Sequence, residues 1–327
     1  MTNVFEDMVG EEHERLRLDV YLADVIEDAT RSFVKKVIKD GRVTVNGAVC
    51  ARPARLMHPR ERVTVSLPSQ PEVPPSPEDI PLEILYQDQD LVVVNKPAGL
   101  IVHPAPGHPT GTLVNAILHH CPDFMRPGMD PVRPGIVHRL DKYTSGVLVV
   151  AKSQRGFNSL AAQAREHRFD RRYLALVRGE FQENRGRINA SVGRSLTDRK
   201  RMSVTGVGGR EAITNFEVIE EFGVASLIAL RLETGRTHQI RVHLRFAGRP
   251  VLGDPVYGVT DFASWPVPPD VRAALEALQG QALHAERLGF EHPATGEPMA
   301  FTAPPPEDFN AVLQALRAFA ASTDRSR

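Results

Sequence analysis

One stretch, PSQPEVPPSPEDIP at 68–81, limits what this chain can fold into more than any other. Proline lacks the backbone N–H that helix interiors and sheet ladders require, and the stretch has no apolar period. It reads as a semi-rigid, acidic linker between two folding units. The expected organisation is an N-terminal extension over 1–15, a small unit over 16–67, the linker over 68–81, a larger unit over 82–320 and a flexible tail over 321–327. With 327 residues, 42% hydrophobic and 24% charged, the larger unit has enough chain to bury a sizeable core.

Several classes drop out early. No apolar run approaches the roughly 20 residues needed to span a bilayer. The start, MTNVFEDMVGEEHERLR, is polar and acidic, unlike a secretory signal. Cys50 and Cys121 are the only cysteines and lack metal or redox spacing, so two free thiols in a reducing cytoplasm are expected. The formal net charge is zero, but it is segregated. Residues 15–65 hold eleven Lys and Arg against six Asp and Glu, and 165–210 hold twelve against five. Residues 68–90 carry six acids and no base. Clustered basic segments of this kind point to a phosphate-bearing partner, here a nucleic acid. No obligate protein partner is evident.

In the small unit, Leu18, Tyr21, Leu22, Val25 and Ile26 recur at helical spacing. A second helix follows Thr30, a candidate cap, with Phe33, Val34, Val37 and Ile38 on one face and Lys35, Lys36 and Lys39 on the other. Gly41 is placed to end it. Asn46-Gly47 joins two short alternating runs as a hairpin. This pattern resembles the S4 RNA-binding domain, and the resemblance makes the three lysines RNA contacts.

In the larger unit, apolar runs at 84–86, 91–100, 173–178, 212–219 and 224–232 alternate irregularly with helical patterns at 113–118, 157–168, 237–246 and 307–321. The irregular alternation predicts an α+β fold with a mixed, mostly antiparallel sheet rather than a doubly wound one.

The chemistry concentrates in GIVHRLDKYTSGVLVV, 135–150, where Arg139, Asp141 and Lys142 crowd a loop feeding a buried strand. Burial would neutralise Asp141 and a neighbouring cation would keep it charged. Arginine suits that task because it does not deprotonate and grips carboxylates with a planar fork. Candidates lie in LETGRTHQIRVHLRF, 232–246, where Ile240 and Leu244 mark an inward row. A third block, RRYLALVRG at 171–179, alternates so that Tyr173 and Ala175 share a face.

These blocks together closely resemble the RluA-type family of pseudouridine synthases. HRLDKYTSGVLVVAK, RRYLALVRG and TGRTHQIRVHL carry the match, and GRPVLGDPVYG (248–258) and ALHAERLGFEHPATGE (282–297) extend it. The loop at 102–122 and the S4-like unit look most like the RluD branch, which modifies large-subunit ribosomal RNA. Tyr143 departs from that branch, which usually has a small acidic or polar residue there.

The resemblance implies a catalytic Asp141, an Arg241 that pairs with it (Arg236 being the rim alternative) and a Tyr173 that stacks under the target base. It further implies an Arg139 that fills the space left by a flipped base, with Lys142, Arg236 and His238 contacting substrate. No cofactor is implied, because the substrate supplies both fragments that are rejoined.

Other readings remain. His119-His120-Cys121 and His238-x4-His243 match no zinc spacing, so no metal is expected. GVGGR at 206–210 lacks the ending of a phosphate loop and reads as a basic hairpin loop. Transfer RNA is the alternative substrate. An S4-bearing assembly factor would bind RNA without using Asp141, and a nucleoside hydrolase would need a second acid beside it.

Overall fold

The computed structural model describes residues 3–26, 31–67, 74–104, 108–124, 128, 133–195, 201–206 and 208–324. They form two compact units divided between residues 72 and 73.

The first unit runs β1 (Asn3–Met8), α1 (Leu18–Val25), α2 (Arg31–Lys39), β2 (Val43–Val45), β3 (Ala48–Val49) and β4 (Arg62–Leu67). Its sheet has the order β1-β4-β2-β3. Asn46 and Gly47 both take positive φ, at 51° and 81°, as a two-residue hairpin requires. Leu18, Tyr21, Leu22, Val34, Val37 and Ile38 are buried together with the strand valines, so the helical spacing reports the core faces. Thr30, the candidate cap, lies outside the described residues. Residues 3–15 are no separate extension: β1 pairs antiparallel with β4 from Asn3↔Leu67 to Met8↔Arg62, which gives the sheet one of its outer strands.

The second unit continues with β5 (Glu83–Gln87), β6 (Leu91–Lys96), α3 (Leu113–His120), β7 (Ser145–Ala151), α4 (Gln154–Arg165), β8 (Asp170–Arg178), β9 (Arg185–Asn189), β10 (Val192–Arg194), β11 (Met202–Val204), β12 (Ile213–Glu221), β13 (Ala225–Leu232), α5 (Gln239–Phe246), α6 (Pro269–Glu276), β14 (Leu283–Glu291), β15 (Pro298–Thr302) and α7 (Glu307–Asp324). A nine-stranded sheet has the order β5-β6-β7-β14-β8-β13-β12-β9, with β15 on β14. Only the β7–β14 pairing is parallel; the others are antiparallel. The architecture is therefore the mixed, mostly antiparallel α+β sheet that the sequence predicts.

Strand alternation assigns the two faces. Tyr173, Ala175 and Val177 of β8 pack on one side with Ile240 and Leu244 of α5 and Leu113 and Ile117 of α3. Leu174 and Leu176 point the other way, to Phe309, Val312 and Leu316 of α7. Part of the expected linker belongs to this unit. Ser76–Ile80 lies along α3, with Asn115 Nδ2 donating to the Ser76 carbonyl at 2.8 Å and the Glu78 N–H to the Asn115 carbonyl at 3.0 Å. Residues 68–73 lie outside the described set. No helix among the described residues is long and apolar enough to cross a membrane.

The parallel pair also brings two backbones into close approach. Gly146 takes φ +115°, and a Cβ there would run into the backbone of Ala285 on β14. Gly146→Ala is therefore expected to cost at least about 2 kcal/mol. Urea denaturation checks this; a variant within about 0.5 kcal/mol of the parent would show that the close approach does not matter.

Candidate active site

Asp141 sits four residues before β7, in a loop whose turn closes with the Thr144 N–H on the Asp141 carbonyl at 3.0 Å. Its carboxylate meets α5, where Arg241 Nη1 donates to Asp141 Oδ2 at 2.9 Å. Arg241 is only 5% exposed. Its other edge is taken by Asp254, which accepts from Nε at 2.7 Å and from Nη2 at 2.9 Å. Burial works against the guanidinium's charge, but the two carboxylates outweigh it and hold it more firmly protonated than usual. For Asp254 burial favours the neutral acid, yet Arg241 and the N–H groups of Val256 and Tyr257 win and keep its pKa below the ordinary carboxylate range.

Two further groups fix this arrangement. The Tyr257 ring lies under the Arg241 guanidinium, 4.9 Å from its centroid, a cation–π contact that sets the guanidinium plane. The Tyr257 hydroxyl accepts from the Met202 N–H at 2.8 Å and meets His238 Nδ1 at 2.9 Å. His238 adopts a left-handed backbone, φ 55° and ψ 19°, just before α5. Such strain in a non-glycine residue persists where surroundings enforce it. Here it turns Nε2 to within 3.9 Å of Asp141 Oδ1, too far for a hydrogen bond. Burial lowers the His238 pKa below that of a free imidazole, and the Asp141 charge opposes this. Among the described residues Asp141 Oδ1 accepts no hydrogen bond.

Beneath the loop, Lys96 at the end of β6 is fully buried. Its Nζ donates to the carbonyls of Pro97 at 2.8 Å, Leu100 at 2.9 Å and Lys142 at 3.2 Å. One ammonium thus ties the 97–100 turn to the Asp141 loop. Burial pulls its pKa down to about 7, against the pull of the Asp141 charge. His138, on the same loop, accepts the Val149 N–H at Nε2, 3.1 Å away, and fastens the loop to β7.

Tyr173 is 7% exposed and lies opposite an irregularity where β14 skips register between His284 and Arg287. Bulges of this kind re-aim side chains beside active sites. Burial raises its hydroxyl pKa, with Asp141's charge adding to the shift and Arg171 opposing it, so the phenol stays protonated.

The structure brings together Asp141, Arg241 and His238, with Tyr173 close enough to feel Asp141's charge. It does not bring Arg236 to Asp141: the Arg236 Nε donates to the Glu211 carbonyl at 3.0 Å, because the turn entering α5 points it outward. Arg139 and Lys142 are exposed, and Lys142 Nζ stands 5.2 Å from the Tyr143 ring centroid. Lys35, Lys36 and Lys39 lie exposed on α2, with Lys35 Nζ 3.8 Å from the buried Asp19.

Sequence reasoning missed Lys96, Arg171, Asp254 and Tyr257. Arg171 leans over Gly235, where a Cβ would meet its Nη1 at 2.8 Å, and its Nε has no partner among the described residues. Only the glycine of the TGRTH block hinted at that approach.

One group of acid and histidine atoms, Asp88, Asp90 and His292, is close enough to hold a cation among the described residues. Each is already engaged, His292 Nε2 with Asp88 at 2.7 Å and Asp90 with Arg155 and Ser153. His119 meets Asp79 at 3.4 Å and His120 the Ile80 carbonyl at 2.8 Å, which gives both of these histidines polar partners on the segment beside α3.

Both units are similar to known proteins. A family model described as RNA pseudouridylate synthase covers residues 90–246, and the S4 domain model covers 16–63. A Bacillus subtilis protein named as an RNA pseudouridine synthase is 43% identical over 316 residues, 96% of this chain and 99% of that one. A Zymomonas mobilis protein named ribosomal large subunit pseudouridine synthase D is 42% identical, covering 95% of each chain. The solved structure of human RNA pseudouridylate synthase domain containing 1 aligns with a TM-score of 0.54 and 28% identity, over 74% of this chain and 96% of that one. The chain belongs to the RNA pseudouridine synthase family. It is an RNA-modifying isomerase with an S4 domain at its N-terminal side.

His138 supplies a test of how the loop is held. Burial, with Arg171 nearby, pushes its pKa down to about 3. Below about pH 6.5 the unfolded chain binds a proton there that the folded chain refuses. Its contribution is therefore complete above that pH and is lost on acidification, at up to about 1.4 kcal/mol per pH unit. His138→Gln should flatten the fall in unfolding free energy between about pH 6.5 and 4.5, measured by urea titration; an unchanged slope would contradict a neutral His138.

Proposed function

We propose that this enzyme isomerises specific uridines of large-subunit ribosomal RNA, with Asp141 as the catalytic carboxylate. The observation that carries the reading is the Arg241–Asp141 contact of 2.9 Å, which fixes the carboxylate at the strand mouth through Oδ2 alone among the described residues. Isomerisation breaks the N1–C1′ bond, rotates the uracil and joins C5 to C1′; the C5 proton is released to solvent and N1 takes up a proton in its place. An ionised carboxylate serves this at the ribose, either by attack at C1′ or by taking a sugar proton.

Tyr173 stacks on the base and holds it during rotation, its protonated hydroxyl at the polar end of an apolar ring. The uridine must leave its stack, at a cost of a few kcal/mol. Arg139, exposed two residues from Asp141, fills the space left behind. Lys142, Arg236, His238 and Arg171 meet phosphate or sugar at the rim. On the S4 unit Lys35, Lys36 and Lys39 add sequence-independent affinity. The ribosomal substrate is supported by the relatives named as large-subunit enzymes.

Tritium release from 5-³H-uridine-labelled, unmodified large-subunit RNA tests the chemistry. Asp141→Asn should reduce release below about one thousandth of the parent value, with RNA affinity kept within about threefold. Residual activity above that level would remove Asp141 from the mechanism. Release from transfer RNA alone would keep the chemistry and overturn the substrate.

Replacing Lys35, Lys36 and Lys39 together by alanine should leave turnover at saturating RNA unchanged. It should also lower the slope of log affinity against log salt by about 2–3. An unaltered slope would show that these lysines do not touch phosphate.

A further inference from the structure

Asp254 lies in the tight turn GDPVYG, 253–258, and no step of the isomerisation has so far been given to it. It is nonetheless the most thoroughly held charge near the site. It is 1% exposed and accepts four hydrogen bonds: Arg241 Nε on Oδ2, and Arg241 Nη2 with the N–H groups of Val256 (2.9 Å) and Tyr257 (3.0 Å) on Oδ1. The turn cannot shift easily. A Cβ on Gly253 would strike the Gly280 carbonyl, and one on Gly258 the Val251 carbonyl, so backbone packs closely on both sides.

A guanidinium beside a carboxylate favours a two-pronged contact, in which two parallel N–H groups grip both oxygens. Asp254 has taken the Nε–Nη2 edge for this purpose. Asp141 receives only Nη1, on Oδ2. Two results follow. Asp141 Oδ1 has no arginine N–H aimed at it, and one positive charge is divided between two negative ones. Were Asp254 absent, Arg241 could swing its forked edge onto Asp141 and occupy both oxygens.

We propose that Asp254 is a positioning residue: by filling the forked edge of Arg241 it confines Asp141 to a single contact and leaves Oδ1 open to the ribose. This rests on the reading of Asp141 as the catalytic carboxylate. Asp254 touches no reacting atom and acts entirely through Arg241.

That dependence makes the proposal testable by a double-mutant cycle on the full chain. Tritium release gives kcat, RNA titration gives Kd, and thermal melting reports folding, for Asp254→Asn, Arg241→Met, the double variant and Asp141→Asn. Asp254→Asn should lower kcat by about 30-fold or more, a loss within the range for misoriented catalytic groups. Its Kd should stay within about threefold of the parent. In the Arg241→Met background the same substitution should change kcat by less than about threefold, because the residue it acts through is gone.

A kcat near the parent value for Asp254→Asn overturns the proposal, as does a full multiplicative loss in the double variant. A lower melting temperature with unchanged kcat per folded molecule marks Asp254 as merely structural and also overturns it. If Asp254→Asn does not fold, Asp254→Glu keeps the charge and moves it one methylene. A fall in kcat with unchanged Kd then supports the proposal, and a kcat within about twofold overturns it. Retained turnover in Asp141→Asn would instead remove the underlying assignment, an outcome visible without any Asp254 variant.

Discussion

The Asp141 loop needs a buried, fixed donor to hold its carboxylate at the mouth of β7. Arg241 does this, and the rest of the catalytic unit keeps Arg241 in place. An arginine 5% exposed would be costly without partners, since desolvating an ion is opposed by several kcal/mol. Here Asp254 and Asp141 supply three charge-assisted hydrogen bonds, and the Tyr257 ring closes one face. Removing Arg241 would leave the buried Asp254 without its cation, which is more damaging than removing the pair together.

The sheet turns that local balance into a site. β7 begins at Ser145, and its parallel contact with β14 at His284↔Ser145 fixes the end of the Asp141 loop. Lys96 and His138 tie the same loop to its neighbours from below and behind. Tyr173 enters from β8 opposite the β14 irregularity. The hairpin of β10 and β11 reaches the Tyr257 hydroxyl through the Met202 N–H, so a basic segment bears on the residue that touches both His238 and Arg241. A site supported in this way is held to the small tolerances that catalysis demands.

Much of this was legible in the sequence because it rests on local pattern. The alternation of RRYLALVRG places Tyr173 and Ala175 on one face, and the helical spacing after Thr237 puts Ile240 and Leu244 inward. The pairing of Asp141 with Arg241 spans 100 residues; the family resemblance of the two motifs suggested it, and no spacing rule could. Asp254 escaped notice because an aspartate before a proline reads as an ordinary turn residue. Lys96 escaped because a lysine at a strand end usually reaches water. The insertion of β14 between β7 and β8 joins segments more than a hundred residues apart, and short-range periodicity carries no information about it. The linker ends earlier than composition suggests because 76–80 is held by hydrogen bonds to the side chain and backbone of Asn115 on α3, which composition does not reveal.

Catalysis by Asp141 depends on which of its oxygens meets the ribose. The most direct measurement is a structure of the Asp141→Asn variant, stalled on a large-subunit RNA fragment containing its target uridine. The account predicts the uridine out of its stack and over Tyr173, with its C1′ region within about 3.5 Å of the position 141 oxygen that faces away from Arg241. A uridine seated against a different carboxylate, or a ribose facing the oxygen already held by Arg241, would contradict it.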